Sequence, residues 1–373
     1  MKKPLINFRT ARIIEIGSIV LMLVLVSLTA LLKLSEAFLI VSIAGCLTVY
    51  AAAAFFFDRC PRCGRNLGRV SLLWNGFCPG CGAPMRVEER PRQITVMADA
   101  KVNLTLSVGK KRPDGYHEVE TVMTAVGLRD TVTLLCGVGN DTLQCDPPVT
   151  ERAEDNLCMK ALRAFFAATG KRSGGVAIHL EKRIPTQAGL GGGSSDAAAV
   201  LRGLRTLYAP HMTDAQLETI AAELGSDVPF FIRGGTALAT GRGEQLCALP
   251  GMPPCWFVII KPSENYSTAA MYAAIDSAPA RIRSGSRAVL DGLEKADLSA
   301  IAAGLGNDFQ QVLPDGSRVP AIADALRQQG ALNAQLSGSG SAVFGIFRRR
   351  ADAELAAGLL KERYPLTFCV PQV

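Results

Sequence analysis

Ile184-Pro185-Thr186-Gln187-Ala188-Gly189-Leu190-Gly191-Gly192-Gly193-Ser194-Ser195-Asp196 runs directly into Ala-Ala-Ala-Val-Leu-Arg-Gly-Leu. Val176-Ala-Ile-His-Leu180 supplies a strand before it and the alanine-rich run a helix after it, so the glycines stand at a strand-to-helix junction. Four residues without side chains let consecutive backbone N–H groups close on an anion, and the helix N-terminus adds partial positive charge. This is the design of a phosphate cradle. It is not a Walker A loop, because no Gly-Lys-Ser/Thr is present, and not a dinucleotide fingerprint, because Gly-x-Gly-x-x-Gly is absent. A flexible glycine linker, the bland reading, fits poorly between a strand and a helix.

Three further segments carry chemistry. In Ala100-Lys101-Val102-Asn103-Leu104-Thr105-Leu106-Ser107-Val108 strict alternation predicts a half-buried strand, with Lys101, Asn103, Thr105 and Ser107 sharing a polar face. Solvent exposure is the ordinary fate of such a face. Pro113-Asp114-Gly115 is a turn, and Tyr116-His117-Glu118 follows at once. In Leu224-Gly225-Ser226-Asp227-Val228-Pro229-Phe230-Phe231, Gly225 ends a helix that the capping box Thr213-Asp-Ala-Gln216 opens. Asp227 then reads equally as a second N-cap or as a catalytic base, and spacing alone does not choose. Between 94 and 373 strand-like and helix-like segments alternate without repeats, which predicts a mixed α/β or α+β architecture.

The chain has 373 residues, of which 49% are hydrophobic and 20% charged, so it is folded and holds about two or three domains. Its formal charge is +7, yet residues 1–93 carry 12 Lys and Arg against 5 Asp and Glu, leaving 28 against 28 in residues 94–373. A neutral main body is not the footprint of a nucleic-acid binder, which needs a cationic working face. Three histidines, His117, His179 and His211, are too scattered for a histidine-built metal centre. Seven of the 11 cysteines stand singly among apolar residues and read as small buried hydrophobes in a reducing compartment.

The remaining four are paired. Cys60-Pro61-Arg62-Cys63-Gly64 and Cys78-Pro79-Gly80-Cys81-Gly82 are two CPxCG knuckles with 14 residues between Cys63 and Cys78, the spacing of a ribbon that holds one tetrahedral structural Zn²⁺ through four thiolates. Upstream, an apolar stretch of 20 residues spans Ile13 to Leu32 with Glu15 as its only ionisable residue, and a second spans Ala37 to Phe57. Each reaches about 30 Å as a helix, enough to cross a membrane. A cleaved signal peptide is disfavoured by the length of the first run and by the second run behind it. A buried soluble hairpin would need a polar outer face that neither run shows. Lys2, Lys3, Arg9 and Arg12 before the hairpin and Arg59, Arg62, Arg65 and Arg69 after it place both ends in the cytoplasm.

Taken together, Ala100 to Leu104, Arg112 to Glu118, Pro185 to Ala198 and Leu224 to Phe230 resemble the GHMP kinases, the small-molecule kinases named after galactokinase, homoserine kinase, mevalonate kinase and phosphomevalonate kinase. Asp114 to Glu118 narrows the resemblance to the 4-diphosphocytidyl-2-C-methyl-D-erythritol kinase family of the non-mevalonate isoprenoid pathway. Lys261-Pro262, Ser267-Thr268, Tyr272, Asp276, Asn307-Asp308-Phe309 and Leu336 to Phe344 resemble that family in the same order, so the likeness covers about residues 95 to 370.

The resemblance implies a two-lobed α/β (α+β) kinase, with an N-terminal ATP-binding domain at 94–250 and a C-terminal domain at 251–373. A transmembrane hairpin (1–58) and a zinc-ribbon-like module with linker (59–93) precede it. It implies ATP with Mg²⁺ wrapped by Pro185, Thr186, Gln187, Ala188, Gly189, Leu190, Gly191, Gly192, Gly193, Ser194 and Ser195. Lys101 and Asp227 become the catalytic pair. Asn103 lies on the methylerythritol, Tyr116 and Tyr272 stack on cytosine, His117 reads its edge, Thr268 joins the substrate site, and the Ser337 to Ala342 loop closes near the transferring phosphate. The expected partners are a small cytidine-diphosphate substrate and the membrane, with no nucleic acid, and the kinase on the cytoplasmic side. Asp99 and Gln310-Gln311 depart from the family pattern, and the resemblance is silent on residues 1–93. The rivals are another kinase of the superfamily, which Tyr116-His117 opposes, and a catalytically dead membrane-tethered adaptor, which Lys101, Asp227 and the unbroken glycine loop oppose.

Overall fold

A computed structural model describes residues 92–278 and 284–373, together with 17, 20, 21, 23, 24, 40, 41 and 43–49. The cysteine knuckles at 60–81 lie outside the described residues, as does most of both apolar runs, although the described positions within those runs are helical. Among the described residues no helix is long and apolar enough to cross a membrane, and no three His, Cys, Asp or Glu gather as a metal site. Pro91–Val373 forms one unit, distinct from Met1–Arg90.

Two strands of 20 residues each, β1 (Arg92–Lys111) and β2 (His117–Cys136), make the hairpin on which the unit is built. Such length lets β2 take two further partners along its other edge. Near its start it pairs antiparallel with β5 (Thr236–Thr240), and near its end with β4 (Val176–Glu181). β3 (Thr142–Asp146) runs parallel beyond β4, β6 (Gln245–Ala248) pairs with β5, and the two-residue β8 (Gly306–Asn307) lies parallel to β1. A second, wholly antiparallel sheet has the order β11 (Thr367–Pro371), β7 (Trp256–Ile260), β10 (Val343–Phe347), β9 (Asn333–Leu336).

Apolar residues sort these elements into layers. Helices α1 (Leu157–Thr169), α2 (Gly192–Tyr208), α3 (Asp214–Leu224) and the single turn α4 (Phe230–Arg233) cover one face of the first sheet, where Leu162, Phe165 and Leu201 meet Leu134 and Ile178. The other face of β1, through Ala100, Val102 and Leu104, meets Phe257, Ile259 and Phe344 of the second sheet, with α6 (Arg287–Glu294) and α7 (Leu298–Ala303) at its side. α8 (Val319–Gln328) and α9 (Arg350–Lys361) close the far side of the second sheet over Val258, Ile260 and Phe347, while α5 (Thr268–Ser277) joins through Met271 and Ile275. Phe165, Phe257, Phe344 and Phe347 are fully buried, each stabilising the fold by about 1.5–3 kcal/mol.

The local signals around the glycine run hold. β4 precedes it, α2 follows it, and Thr213 accepts from Gln216 N in a complete capping box before Gly225 ends α3. Two expectations need correction. The polar face of β1 is not solvated, since Lys101, Asn103, Thr105 and Ser107 are all buried, Lys101 and Asn103 at the wall of a cleft and Thr105 against Ser286. Nor are all the single cysteines core residues: Cys46, Cys136, Cys158 and Cys255 are buried and Cys145 and Cys369 half-buried, but Cys247 is exposed on β6, an edge strand that is itself largely exposed. All seven described cysteines are free thiols. Asp99, a departure from the family pattern, pairs with Arg129 directly across the β1–β2 ladder.

Candidate active site

Beneath the hairpin turn lies a cleft of about 1140 Å³, walled by the polar face of β1, the glycine run, Asp227, the first turns of α5 and the Gly338–Gly340 loop. Lys101, 4% exposed, projects from β1 with Nζ 3.8 Å from Asp227 Oδ2, and it donates to Asn103 Oδ1 at 2.5 Å. Burial lowers the pKa of the Lys101 ammonium and the Asp227 charge opposes that shift, so this amine titrates below an ordinary lysine. Asn103 Nδ2 donates to Thr121 Oγ1 at 2.8 Å, and Thr121 Oγ1 donates to Thr105 O at 2.5 Å. Both ends of the Asn103 amide are therefore held.

Asp227 stands on a turn in which Val228 N donates to Gly225 O. Its role as a helix cap is excluded: the cap position of α4 is Pro229, with no side-chain cap bond, and α4 begins only at Phe230. The carboxylate, 37% exposed, faces the Lys101 ammonium instead.

The glycine run is shaped by contacts no side chain could share. Gly189 (φ +74°) and Gly191 (φ +70°) occupy the left-handed region, and a Cβ on Gly189 would lie 2.0 Å from Ser337 O. Ala188 and Leu190 are buried anchors in the core, while Lys101 N donates to Leu190 O at 3.0 Å. Gln187, Gly189, Gly191 and Ser194 line the cleft, whereas Pro185, Thr186, Ala188, Leu190, Gly192, Gly193 and Ser195 do not. Ser195 Oγ donates to Asp99 O at 2.7 Å, fastening α2 to β1. Behind the run, Lys182 pairs with Asp130 and, at 2.7 Å, with Asp196. Burial raises the Asp196 carboxyl to about 7 against the pull of Lys182.

At the other end Tyr116 is 55% exposed with the Arg242 guanidinium 5.0 Å over its ring. His117 is buried, and its Nε2 lies 2.7 Å from Asp276 Oδ1. A carboxylate only accepts, so Nε2 carries the proton. Hydrogen bonding from His117, together with Lys111 at 3.4 Å, holds the Asp276 carboxyl below the usual range. Tyr272 stacks on His117 (4.9 Å between centroids, 18°) and sets its edge to Phe309. Burial, then the Asp227 charge, pushes its hydroxyl up to about 12. One face of Tyr272 is thus already taken by His117, while Tyr116, the more exposed ring, carries the Arg242 guanidinium over one face.

A second glycine loop meets the first. Asn307 Nδ2 donates to Leu336 O (3.0 Å) and Gly338 O (2.9 Å), Ser337 Oγ to Gly189 O (3.0 Å), and Ala342 N to Ala188 O (3.1 Å). Thr268 Oγ1 and Ser339 Oγ share a hydrogen bond of 3.0 Å at the cleft wall. Gln310, the other departure, accepts from Leu336 N at 3.1 Å and so supports the start of this loop. Lys261 Nζ donates to Pro262 O, Glu264 O and Asn265 Oδ1, holding the loop before α5. Thr121 and Arg242 are site members the sequence reading did not select, and Asp276 entered it only as part of the family resemblance, without a role. Asp276 alone carried a signal, the i,i+4 spacing that puts it on the Tyr272 face of α5; the other two arrive from separate strand ends.

Two sequence families match the chain: "GHMP kinases N terminal domain" over residues 156–235 and "GHMP kinases C terminal" over 289–366. A 4-diphosphocytidyl-2-C-methyl-D-erythritol kinase of Exiguobacterium sibiricum is 44% identical over 255 residues, which is 68% of this chain and 88% of that protein. One from Brevibacillus brevis is 42% identical over 261 residues, 69% of this chain and 89% of its own. Among solved structures, a 4-(cytidine 5'-diphospho)-2C-methyl-D-erythritol kinase superposes with a TM-score of 0.63 at 33% identity, covering 75% of this chain and 99% of that one. With the cleft and both glycine loops in place and identities of this size over nearly the whole of the relatives, the chain belongs to the 4-diphosphocytidyl-2-C-methyl-D-erythritol kinase family of GHMP kinases.

Proposed function

We propose that the chain transfers the γ-phosphoryl group of ATP to the 2-hydroxyl of 4-diphosphocytidyl-2-C-methyl-D-erythritol, giving the 2-phosphate and ADP. The observation that carries this reading is one cleft holding a lysine–carboxylate pair at 3.8 Å beside a glycine cradle, with an aromatic and histidine cluster at its other end. A diphosphate-linked sugar alcohol with a pyrimidine has a chemistry suited to both ends at once.

In this reading the substrate hydroxyl lies against Asp227, which takes its proton as the oxygen bonds to phosphorus and ADP departs. Lys101 orients the aspartate and faces the charge on the transferring group. Asn103, locked by Lys101 and Thr121, presents one amide to the methylerythritol. Backbone N–H groups of Gln187, Gly189, Gly191 and Ser194, the members of the run that line the cleft, receive the phosphates. Magnesium would accompany ATP: Ser194 is an oxygen donor on the same cleft that could help hold it, and the ion would neutralise charge on the phosphates. Tyr116 stacks on the pyrimidine, and His117, its tautomer set by Asp276, offers Nδ1 as an acceptor for an exocyclic amine.

For residues 1–93 the support is the sequence alone: two apolar runs flanked by cations read as a hairpin that holds the kinase on the cytoplasmic side of the cell membrane, and Cys60, Cys63, Cys78 and Cys81 as one structural zinc site. ADP release measured with the cytidine-diphosphate substrate, homoserine and mevalonate in turn tests the activity. Turnover confined to the first is expected, and turnover with either of the others instead would overturn the substrate assignment.

A further inference from the structure

β1 carries both Lys101 and Asn103, and its pairing with β2 breaks between them and the end of the strand. Asn103 stands opposite Met123 and Thr105 opposite Val122, leaving Leu104 without a counterpart. This is a bulge. In a regular strand successive carbonyls point to opposite edges, so one donor cannot serve two in a row. Here one does. Gln335, on β9 of the second sheet and 2% exposed, sets its Nε2 at 2.8 Å from Asn103 O and 2.9 Å from Leu104 O. Two carbonyl acceptors fix which end of the amide is nitrogen. Its Oε1 accepts no hydrogen bond among the described residues, so the side chain is held by its two donated bonds.

The next residue, Leu336, opens the glycine loop that Asn307 holds through Leu336 O and Gly338 O and that Ser337 ties to Gly189. Gln335 therefore joins the phosphate-facing loops to the strand that presents the lysine and the amide. We propose that Gln335 is a positioning residue for phosphoryl transfer: by clamping the Leu104 bulge from the second sheet, it turns Asn103 and Lys101 into the cleft with the Lys101–Asn103 hydrogen bond intact. Without its donors two buried carbonyls lose their partners, and the bulge relaxes towards a regular ladder, which alters the direction of Asn103 relative to Lys101. Misplacement of reacting groups by about 1 Å costs on the order of 100-fold in rate.

The inference rests on the proposed kinase activity, and the native full-length chain serves as its control. Gln335→Met keeps length and volume and removes both donors. Gln335→Glu, neutralised by burial, restores one donated O–H. Initial rates at saturating ATP and cytidine-diphosphate substrate, with thermal melting on the same samples, should show kcat of Gln335→Met lowered by at least about tenfold. The KM for the cytidine substrate should rise and that for ATP stay within about twofold, while Gln335→Glu recovers part of kcat. If Gln335→Met does not fold, the Gln335→Glu comparison decides alone, with an intermediate kcat expected. Native kcat in either variant, or a fall in kcat accompanied by equal changes in both KM values, would overturn the positioning role. No turnover by the native chain would instead refute the activity on which it rests.

Discussion

Replacing Asp227 by Asn separates the two things its carboxylate does. As the proton acceptor for the substrate hydroxyl it contributes on the order of 10²–10⁴ in turnover, which an amide cannot supply. As the charge 3.8 Å from Lys101 it also sets the lysine's titration. Coulomb's law at an effective dielectric of about 20 gives roughly 4 kcal/mol at that distance, and because Asp227 is 37% exposed, water screens this to about 2 kcal/mol. Burial already lowers the Lys101 pKa, and the aspartate is what opposes that shift. Its removal lets burial act alone, so the alkaline limb of the rate profile moves to lower pH. ADP release followed from pH 6 to 10 at saturating substrates, with isothermal titration of ATP and of the cytidine substrate, tests both. Binding of each ligand should stay close to native. Undiminished turnover would remove Asp227 from proton transfer, and an alkaline limb that stays put or moves upward would refute the electrostatic link to Lys101.

Asp276→Ala frees the His117 tautomer, and the KM for the cytidine substrate should rise about tenfold with the KM for ATP unchanged, as the loss of one charge-assisted hydrogen bond predicts; equal changes in both would point to a folding defect. Gly189→Ala places a Cβ 2.0 Å from Ser337 O at φ +74°, so ATP should lose most of its protection against thermal unfolding, and native protection would show the cradle is not where ATP binds. Because the Asp196 carboxyl is raised to about 7 by burial, its contribution to stability is present at low pH and lost as pH rises through that value. The melting temperature of Asp196→Asn relative to native should therefore climb between pH 5 and pH 8, and a difference that stays flat or falls would contradict it. Full-length protein purified under reducing, chelator-free conditions should hold one zinc per chain, and Cys60→Ser should lose it with kcat unaltered; a zinc content near zero in the native chain would refute the site.

Local chemistry was readable from the chain wherever the signal lay within a few consecutive residues. The strand before Ile184, the helix after Gly193, the capping box at Thr213 and the stop at Gly225 all depend on backbone geometry that neighbouring side chains dictate, and each forms where the pattern places it. Lys101 and Asn103 were placed on one face by alternation alone. What alternation could not say was the environment of that face, because it is enclosed by segments remote in the chain: the two glycine loops, at Gly191 and Gly338, lie beside Lys101, and Gln335 reaches back to the carbonyls of Asn103 and Leu104. The same holds for Asp227, which as sequence was equally a helix cap or a base. Only the approach of Lys101, 126 positions away and lowered in pKa by the layers around it, turns that carboxylate into half of a catalytic pair. The ring faces followed the same rule. Tyr116 and Tyr272 look alike as aromatic residues, but helix α5 delivers Tyr272 onto His117 with Asp276 one turn behind it, and Tyr116 remains on the open turn. Side-chain type and short-range periodicity specify which groups are available; dielectric, hydrogen-bond partner and free face are properties of contacts between distant segments, which form only when the two sheets pack.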